Sequence, residues 1–237
     1  MTEGSSRFTS DRRGREEASW ADEEDWNAGV PENVDVLGGS LVPRGLGSQV
    51  ESEIYDFNSF STDVWTLYGD ATYSASGDYV QLHPNVYDAR GCLEYNDGMV
   101  DPDHRWAIDI TFSQGNGNTD EISVNWYANE PTEGDRTASE GYALETDYWR
   151  ETIRLQYRTG VSTITLASAW IGHQTGAIDL RVEWDRGSYT VYYQGSQIFA
   201  GEHSSPDHSR NGLFFGSWCG GQTSYKRIHQ VALEWGW

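Results

Sequence analysis

From residue 105 to the end of the chain the sequence keeps one rhythm, apolar then polar. "RWAIDITF" sets Trp106, Ile108, Ile110 and Phe112 on one side of an extended backbone and Asp109 and Thr111 on the other. "EISVNWYA" repeats it with Ile122, Val124 and Trp126, and "ETIRLQY" with Ile153, Leu155 and Tyr157. "AIDLRVEW" gives Ile178, Leu180, Val182 and Trp184; "SYTVYY" gives Tyr189, Val191 and Tyr193; "HQVALEWGW" gives Val231, Leu233 and Trp235. A period of two marks a strand with one dry and one wet face, whereas an amphipathic helix repeats every three or four residues. Half-wet strands belong to antiparallel sheets. Turn segments such as "DRGS" and "YQGSQ" fall between neighbouring runs, where hairpins require them. About a dozen strands of this kind predict an all-β, two-sheet antiparallel sandwich over residues 51–237.

Residues 1–50 lack the rhythm and read as an extended acidic N-terminal arm. "MTEGSSRFTSDRRGREE" is polar throughout and carries no export-type apolar core. In "EEASWADEEDW" a short helix capped by Ser19 would place Trp20 and Trp26 six residues apart, off a common face. The two rings are therefore expected to act as separate anchors, since indole rings bury enough area to hold a segment down. "NAGVPENVDVLGGSLVPRGLGS" follows as a glycine-punctuated linker. Its "LVPRG" resembles a protease-cleavage linker, from which Leu46 after Gly45 departs. No run of ~18 apolar residues is present, so no membrane-spanning helix is expected.

Charge limits the partners. Asp and Glu total 37 against 16 Lys and Arg, a net of −21, and Lys226 is the sole lysine. Ten acids and five arginines lie in residues 1–50, so the remaining −16 belongs to residues 51–237. A duplex nucleic-acid partner is excluded for want of a basic face. Acidic excess with almost no lysine resembles proteins of extreme halophiles, whose carboxylates stay hydrated while concentrated salt screens their repulsion. The two cysteines, Cys92 and Cys219, are too few for a disulfide framework or a zinc site; one bridge or two buried thiols both fit.

The last third has a recognisable order. "AIDLRVEWD" leads into the hairpin "GSYTVYYQGSQIFAG", then "NGLFFGSW", then the closing aromatic strand; "EIYDFNSFSTDVWTLYGDATYS" suits a first strand lying beside the last. This resembles the concanavalin A-like jelly-roll superfamily, with its laminin-G-like and legume-lectin-like modules, over residues 51–237. The leader "PENVDVLGGSLVPRGL" resembles N-terminal segments of haloarchaeal tailed-virus structural proteins.

Three chemistries compete on the sandwich. In "ALETDYWRE", Glu145, Asp147 and Glu151 resemble the acidic strand motif of family 16 glycoside hydrolases, whose first and last glutamates serve as nucleophile and general acid. Three residues separate Asp147 from Glu151, and along one straight strand Glu145 and Glu151 would stand ~20 Å apart. A retaining pair needs ~5 Å. Sugar binding calls for aromatic plates beside amide and carboxylate groups. "EYNDGMVDPDH" (Tyr95, Asn96, Asp97) and "WCGGQTSY" (Trp218, Gln222, Tyr225) offer both. No cofactor is required; the one ion with candidate ligands is calcium, through Asp101, Asp103 and Asp120. The histidines show no metal spacing, and His203 and His208 fall on a polar loop.

The expectation is a non-enzymatic structural or adhesion protein of a halophilic virus, a capsid decoration or tail fibre. It would be assembled in the host cytoplasm and exposed to salt-rich medium in the virion. The arm would anchor to capsid or tail proteins, and the sandwich would self-associate and bind host-surface glycan. A family 16-like hydrolase and a cell-surface carbohydrate-binding module are the alternatives.

Overall fold

The computed structural model describes residues 50–99, 104–115, 121–131, 137–147, 150–203, 210–220 and 224–236. It also describes the backbone of four short strands nearer the N-terminus. Contacts between backbone positions divide the chain into Met1–Ser48 and Gln49–Trp237. In the first unit β1 (Thr9–Ser10) pairs with β2 (Glu16–Glu17), and β3 (Val34–Leu37) pairs with β4 (Ser40–Pro43), both antiparallel. The helix expected around Ser19, with Trp20 and Trp26, lies outside the described residues.

The second unit contains β5 (Glu51–Tyr55), β6 (Trp65–Gly69), β7 (Thr72–Ser74), β8 (Tyr79–His83), β9 (Arg90–Tyr95), β10 (Arg105–Gln114), β11 (Glu121–Ala128) and β12 (Glu140–Asp147). It continues with β13 (Thr152–Thr159), β14 (Thr163–Trp170), β15 (Gly176–Asp185), β16 (Ser188–Tyr193), β17 (Ser196–Glu202), β18 (Gly212–Trp218) and β19 (Lys226–Trp235). No helix occurs among the described residues. One sheet of eight strands runs β17-β16-β15-β10-β19-β8-β7, with β5 also paired to β19. The other runs β14-β13-β12-β11-β18-β9-β6. Every pairing is antiparallel, and the first strand lies beside the last, as the resemblance implied. The architecture is a two-sheet jelly-roll sandwich.

The core is the set of dry faces that the alternation marked. Trp106, Ile108, Ile110 and Phe112 of β10 meet Ile122, Val124 and Trp126 of β11 and Leu144 of β12, all essentially inaccessible. Aromatic rings occupy much of the interlayer space. Trp106 stacks on Trp184 at 5.8 Å and 7°, Trp126 stacks on Tyr142 at 5.4 Å and 4°, and Tyr142 meets Trp184 edge-on at 5.0 Å. Such pairs contribute about 0.5–1.5 kcal/mol each beyond area burial, and their geometry ties one sheet's register to the other's.

One residue breaks the alternation in a way that shapes the outer surface. Strict period two would point Tyr127 outward with Ser123 and Asn125. A bulge between Trp126 and Ala128, with Tyr127 at φ 46°, swings it inward, and its hydroxyl accepts the Trp106 indole N–H at 2.7 Å. The facing position must be glycine. A Cβ on Gly141, at φ 102°, would lie 2.2 Å from the Tyr127 carbonyl oxygen. Beyond the bulge Asn129 Oδ1 accepts the backbone N–H groups of Ser139 and Glu140, while Asn125 Oδ1 accepts that of Ala138. Ala138 is thereby laid over Ala128, Cys92 and Phe214 in a small second apolar cluster on the outer face of the seven-stranded sheet. Both cysteines are buried as thiols.

Candidate functional site

On the outer face of the seven-stranded sheet, backbone register sets side chains in rows across the strands. One row runs Trp170, Thr152, Asp147, Glu121, Trp218, Arg90. The next runs Ser168, Arg154, Glu145, Ser123, Gly216, Cys92. A third passes through Gln156, Ala143, Asn125 and Phe214, and there the cluster around Ala138 begins. The first two rows are therefore the polar floor, and Ala138, held by Asn125 Oδ1, stands at its far end.

That floor is charged, buried and paired. Glu145 and Asp147 are only 4% and 6% exposed. Glu145 Oε1 accepts Arg158 Nη2 at 2.5 Å, and its Oε2 accepts Arg154 Nη2 at 3.4 Å. Arg154 also reaches Asp147 at 3.4 Å, and Arg150 lies 3.6 Å from Asp147 while donating its backbone N–H to Asp147 Oδ1. Arg158 is further held by Gln156 Oε1, Thr137 Oγ1 and the Ala138 carbonyl. Unpaired, such carboxylates would cost several kcal/mol each in this setting. Arg150, Arg154 and Arg158 meet Glu145 and Asp147, and Glu121 stands beside Asp147 in the row, so three guanidinium groups face three carboxylates at the centre of the face, although the chain as a whole carries −21.

Trp170 ends the first row, and Trp218 stands at the other side of it, next to Arg90. Trp170 is 73% exposed, and its indole N–H donates to Glu151 Oε2 at 3.2 Å from the turn between β12 and β13, where Glu151 has φ 54°. Trp218 donates its indole N–H to Asp88 Oδ1 at 2.9 Å, and Arg90 lies 5.8 Å from its ring centre. The Trp218 indole and then the Arg90 guanidinium hold the Asp88 carboxyl below the usual carboxylate range. Deeper on the same face Glu94 accepts the Tyr68 hydroxyl at 2.7 Å. That bond, with burial, pushes Tyr68 up to about 12, and burial raises Glu94.

Away from this face, a cavity of about 220 Å³ opens at one end of the sandwich between Glu53, Tyr95, Asp97, Met99, Leu213 and Trp235, among others. The Tyr95 hydroxyl donates to Glu53 Oε2 at 2.9 Å, and burial raises the Tyr95 pKa far above the ordinary phenol value.

The residues singled out by sequence do not form one site. Tyr95 and Asp97 line the end cavity. Asn96 clasps the preceding turn, donating to the carbonyls of Thr62 and Asp63 and accepting the Thr66 hydroxyl. Trp218 belongs to the outer row, and Tyr95, paired to Leu213, is five residues away along β18, roughly 17 Å. Tyr225 carries the Arg227 guanidinium over its ring at 4.2 Å. Glu145 and Asp147 share the face, as the acidic motif requires, whereas Glu151 is taken up by Trp170 at the hairpin tip. His203, expected on an exposed loop, is half-buried with Nδ1 2.7 Å from the Tyr142 hydroxyl. Gln222, Asp101, Asp103 and Asp120 lie outside the described residues. Among the described residues no three His, Cys, Asp or Glu side chains converge as metal ligands.

Trp170, Arg154, Arg158 and Gln156 were not picked out from sequence as site residues. The available signal was the tripeptide Trp-x-Gly, present as "WIG" at 170–172 and "WCG" at 218–220.

No protein-family model matches the sequence, and no curated protein sequence does. Solved structures do match the fold. The exoplasmic/lumenal domain of VIP36, bound to Ca2+ and Man3GlcNAc, superposes with a TM-score of 0.64 at 15% identity, covering 76% of this chain and 87% of that one. The potassium-bound carbohydrate recognition domain of Emp46p gives 0.63 at 13% identity, covering 76% and 94%. That of Emp47p gives 0.61 at 16% identity, covering 77% and 93%. At these identities the similarity establishes a legume-lectin-like sandwich.

Proposed function

We propose that the sandwich is a carbohydrate-binding module whose binding face is the outer side of the seven-stranded sheet. The observation that carries the reading is a charge-balanced polar floor, Glu145 and Asp147 paired with Arg154 and Arg158, bounded by an exposed tryptophan whose indole N–H is held by Glu151. Sugars need both surfaces at once: an aromatic plate for the apolar ring face, and fixed donors and acceptors for the hydroxyls. Local neutrality favours an uncharged glycan. The solved structures it resembles include a domain bound to Man3GlcNAc and two carbohydrate recognition domains, which supports the same reading.

A glycoside hydrolase is favoured by one observation, the position of Glu145 and Asp147 on the same face of β12. Against it, both oxygens of Glu145 are occupied by guanidinium groups and Glu151 is bound to Trp170. Binding is the better account. Attachment of the sandwich to a virion through Trp20 and Trp26 is a separate proposal resting on composition and on the leader.

The test is a saccharide array probed with the full chain in molar KCl, followed by titration calorimetry. Arg154→Met, which keeps the stem and removes the guanidinium, is expected to weaken binding by about 10-fold or more, the equivalent of one charged hydrogen bond. Arg227→Met, on the eight-stranded sheet, is expected to leave it unchanged. An array with no bound saccharide, or binding indifferent to Arg154, overturns the assignment.

A further inference from the structure

The two tryptophans of the outer row are built alike. Each ends a strand, β14 or β18, and each is followed two residues later by a glycine that its six-membered ring lies against. A Cβ on Gly172 would come within 3.2 Å of Trp170 Cη2, and one on Gly220 within 3.2 Å of Trp218 Cη2. Each donates its indole N–H to a carboxylate, Glu151 for Trp170 and Asp88 for Trp218. Both carboxylate residues have left-handed backbones, with φ of 54° and 57°. Each ring is thus fixed by a glycine behind it and an acid at its nitrogen. β14 and β18 are separated by β13, β12 and β11, each antiparallel to the next, so β14 and β18 run in the same direction and finish at the same rim.

Four strand spacings of ~4.8 Å place the two tryptophan positions ~19 Å apart. Between them in the row stand Thr152, Asp147 and Glu121, a hydroxyl and two carboxylates, with Arg154 behind. A pyranose unit advances a glycan chain by about one strand spacing, so the interval suits ~4 units lying across the strands. Building on the carbohydrate-binding reading above, we infer that the ligand is an extended, uncharged oligosaccharide that stacks on Trp170 and Trp218 together, rather than a single terminal sugar. An anionic polysaccharide would face a sandwich of net −16. A monosaccharide would reach one ring only.

The experiment titrates the full chain with cello-, manno- and malto-oligosaccharides of one to eight units, in molar KCl. The same series is run on Trp170→Ala, Trp218→Ala and the double variant, with near-ultraviolet circular dichroism confirming the fold of each. For whichever series binds, affinity is expected to rise by about 10-fold or more between two and five units, as a second stacking contact is added. Each single substitution should remove that increment, the double variant should be weaker still because it loses the remaining stacking contact, and Trp170→Phe should restore part of the increment. Disaccharides bound as tightly as hexasaccharides, or length dependence surviving both alanine variants, overturn the two-tryptophan clamp while leaving carbohydrate binding in place. Failure of every saccharide at every length overturns both.

Discussion

Glu145→Gln separates a structural carboxylate from a catalytic one. Glu145 is 4% exposed and both its oxygens accept guanidinium donors. Stripping one partner from a buried ion pair costs about 3–5 kcal/mol when the other is left alone. Here neither arginine is left alone, because Arg154 keeps Asp147, and Arg158 keeps Gln156, Thr137 and the Ala138 carbonyl. The arginine side chains are also 21% and 20% exposed, so water relieves part of the loss, and glutamine still offers one acceptor oxygen. The expected cost is about 1–3 kcal/mol, below the full value for these reasons. For a unit of this size, that is a fall in Tm of roughly 2–12 °C. Buried pairs are screened far less than exposed ones, so the fall should persist from 0.2 to 2 M KCl in a calorimetric scan. Affinity for oligosaccharide should change only a few-fold. An unchanged Tm would refute the pairing. If the variant keeps fold and affinity but loses a measurable glycosidase activity, the catalytic reading replaces the binding one.

Asp109, beside Arg181 on the eight-stranded sheet, is pushed up to about 6 by burial, against the pull of Arg181 and with Glu234 and Glu183 adding repulsion. Its folded pKa lies above its ordinary 3.8, so its contribution to stability is greatest near and below that value and is lost as pH rises through about 6. Asp109→Asn should flatten denaturant-measured stability between pH 4 and 6 and be relatively stabilising at pH 7.5; an unaltered pH profile counts against this. With 37 acids to 16 basic residues, Tm should climb from 0.1 M to ~1 M KCl as the screening length falls from ~10 to ~3 Å, then level off. A rise that starts only above that range, ordered by salt type, would point to ion exclusion instead. If the leader is an attachment device, light scattering in ~3 M KCl, chosen for screening, should show the full chain associating and residues 51–237 monomeric. Two identical monomers would remove that proposal.

How far the site could be read from the chain depends on how locally each part is determined. The dry faces of β10, β11, β13, β15, β16 and β19 were legible because alternation is a property of each strand alone, and Trp106, Val124, Leu155 and Val191 are buried as it required. Tyr127 was not, since the bulge that turns it inward depends on Gly141 in the neighbouring strand and on Trp106 in the opposite sheet. Tyr95 and Trp218 each looked suited to sugar, but whether they cooperate is a matter of register, and pairing through β18 sets them at its opposite ends. The same register brings together what local sequence keeps apart. Trp170 and Trp218 lie 48 residues apart in the chain, and only the order β14-β13-β12-β11-β18 sets them on one row. Arginine partners are likewise invisible from "ALETDYWRE" alone, because Arg154 and Arg158 reach Glu145 across the β12–β13 hairpin. An acidic motif without its facing strand looks like an enzyme; with it, the motif is the arginine-paired floor of the proposed binding face. The residues of the proposed site are therefore brought together by strand order, which a local pattern does not encode.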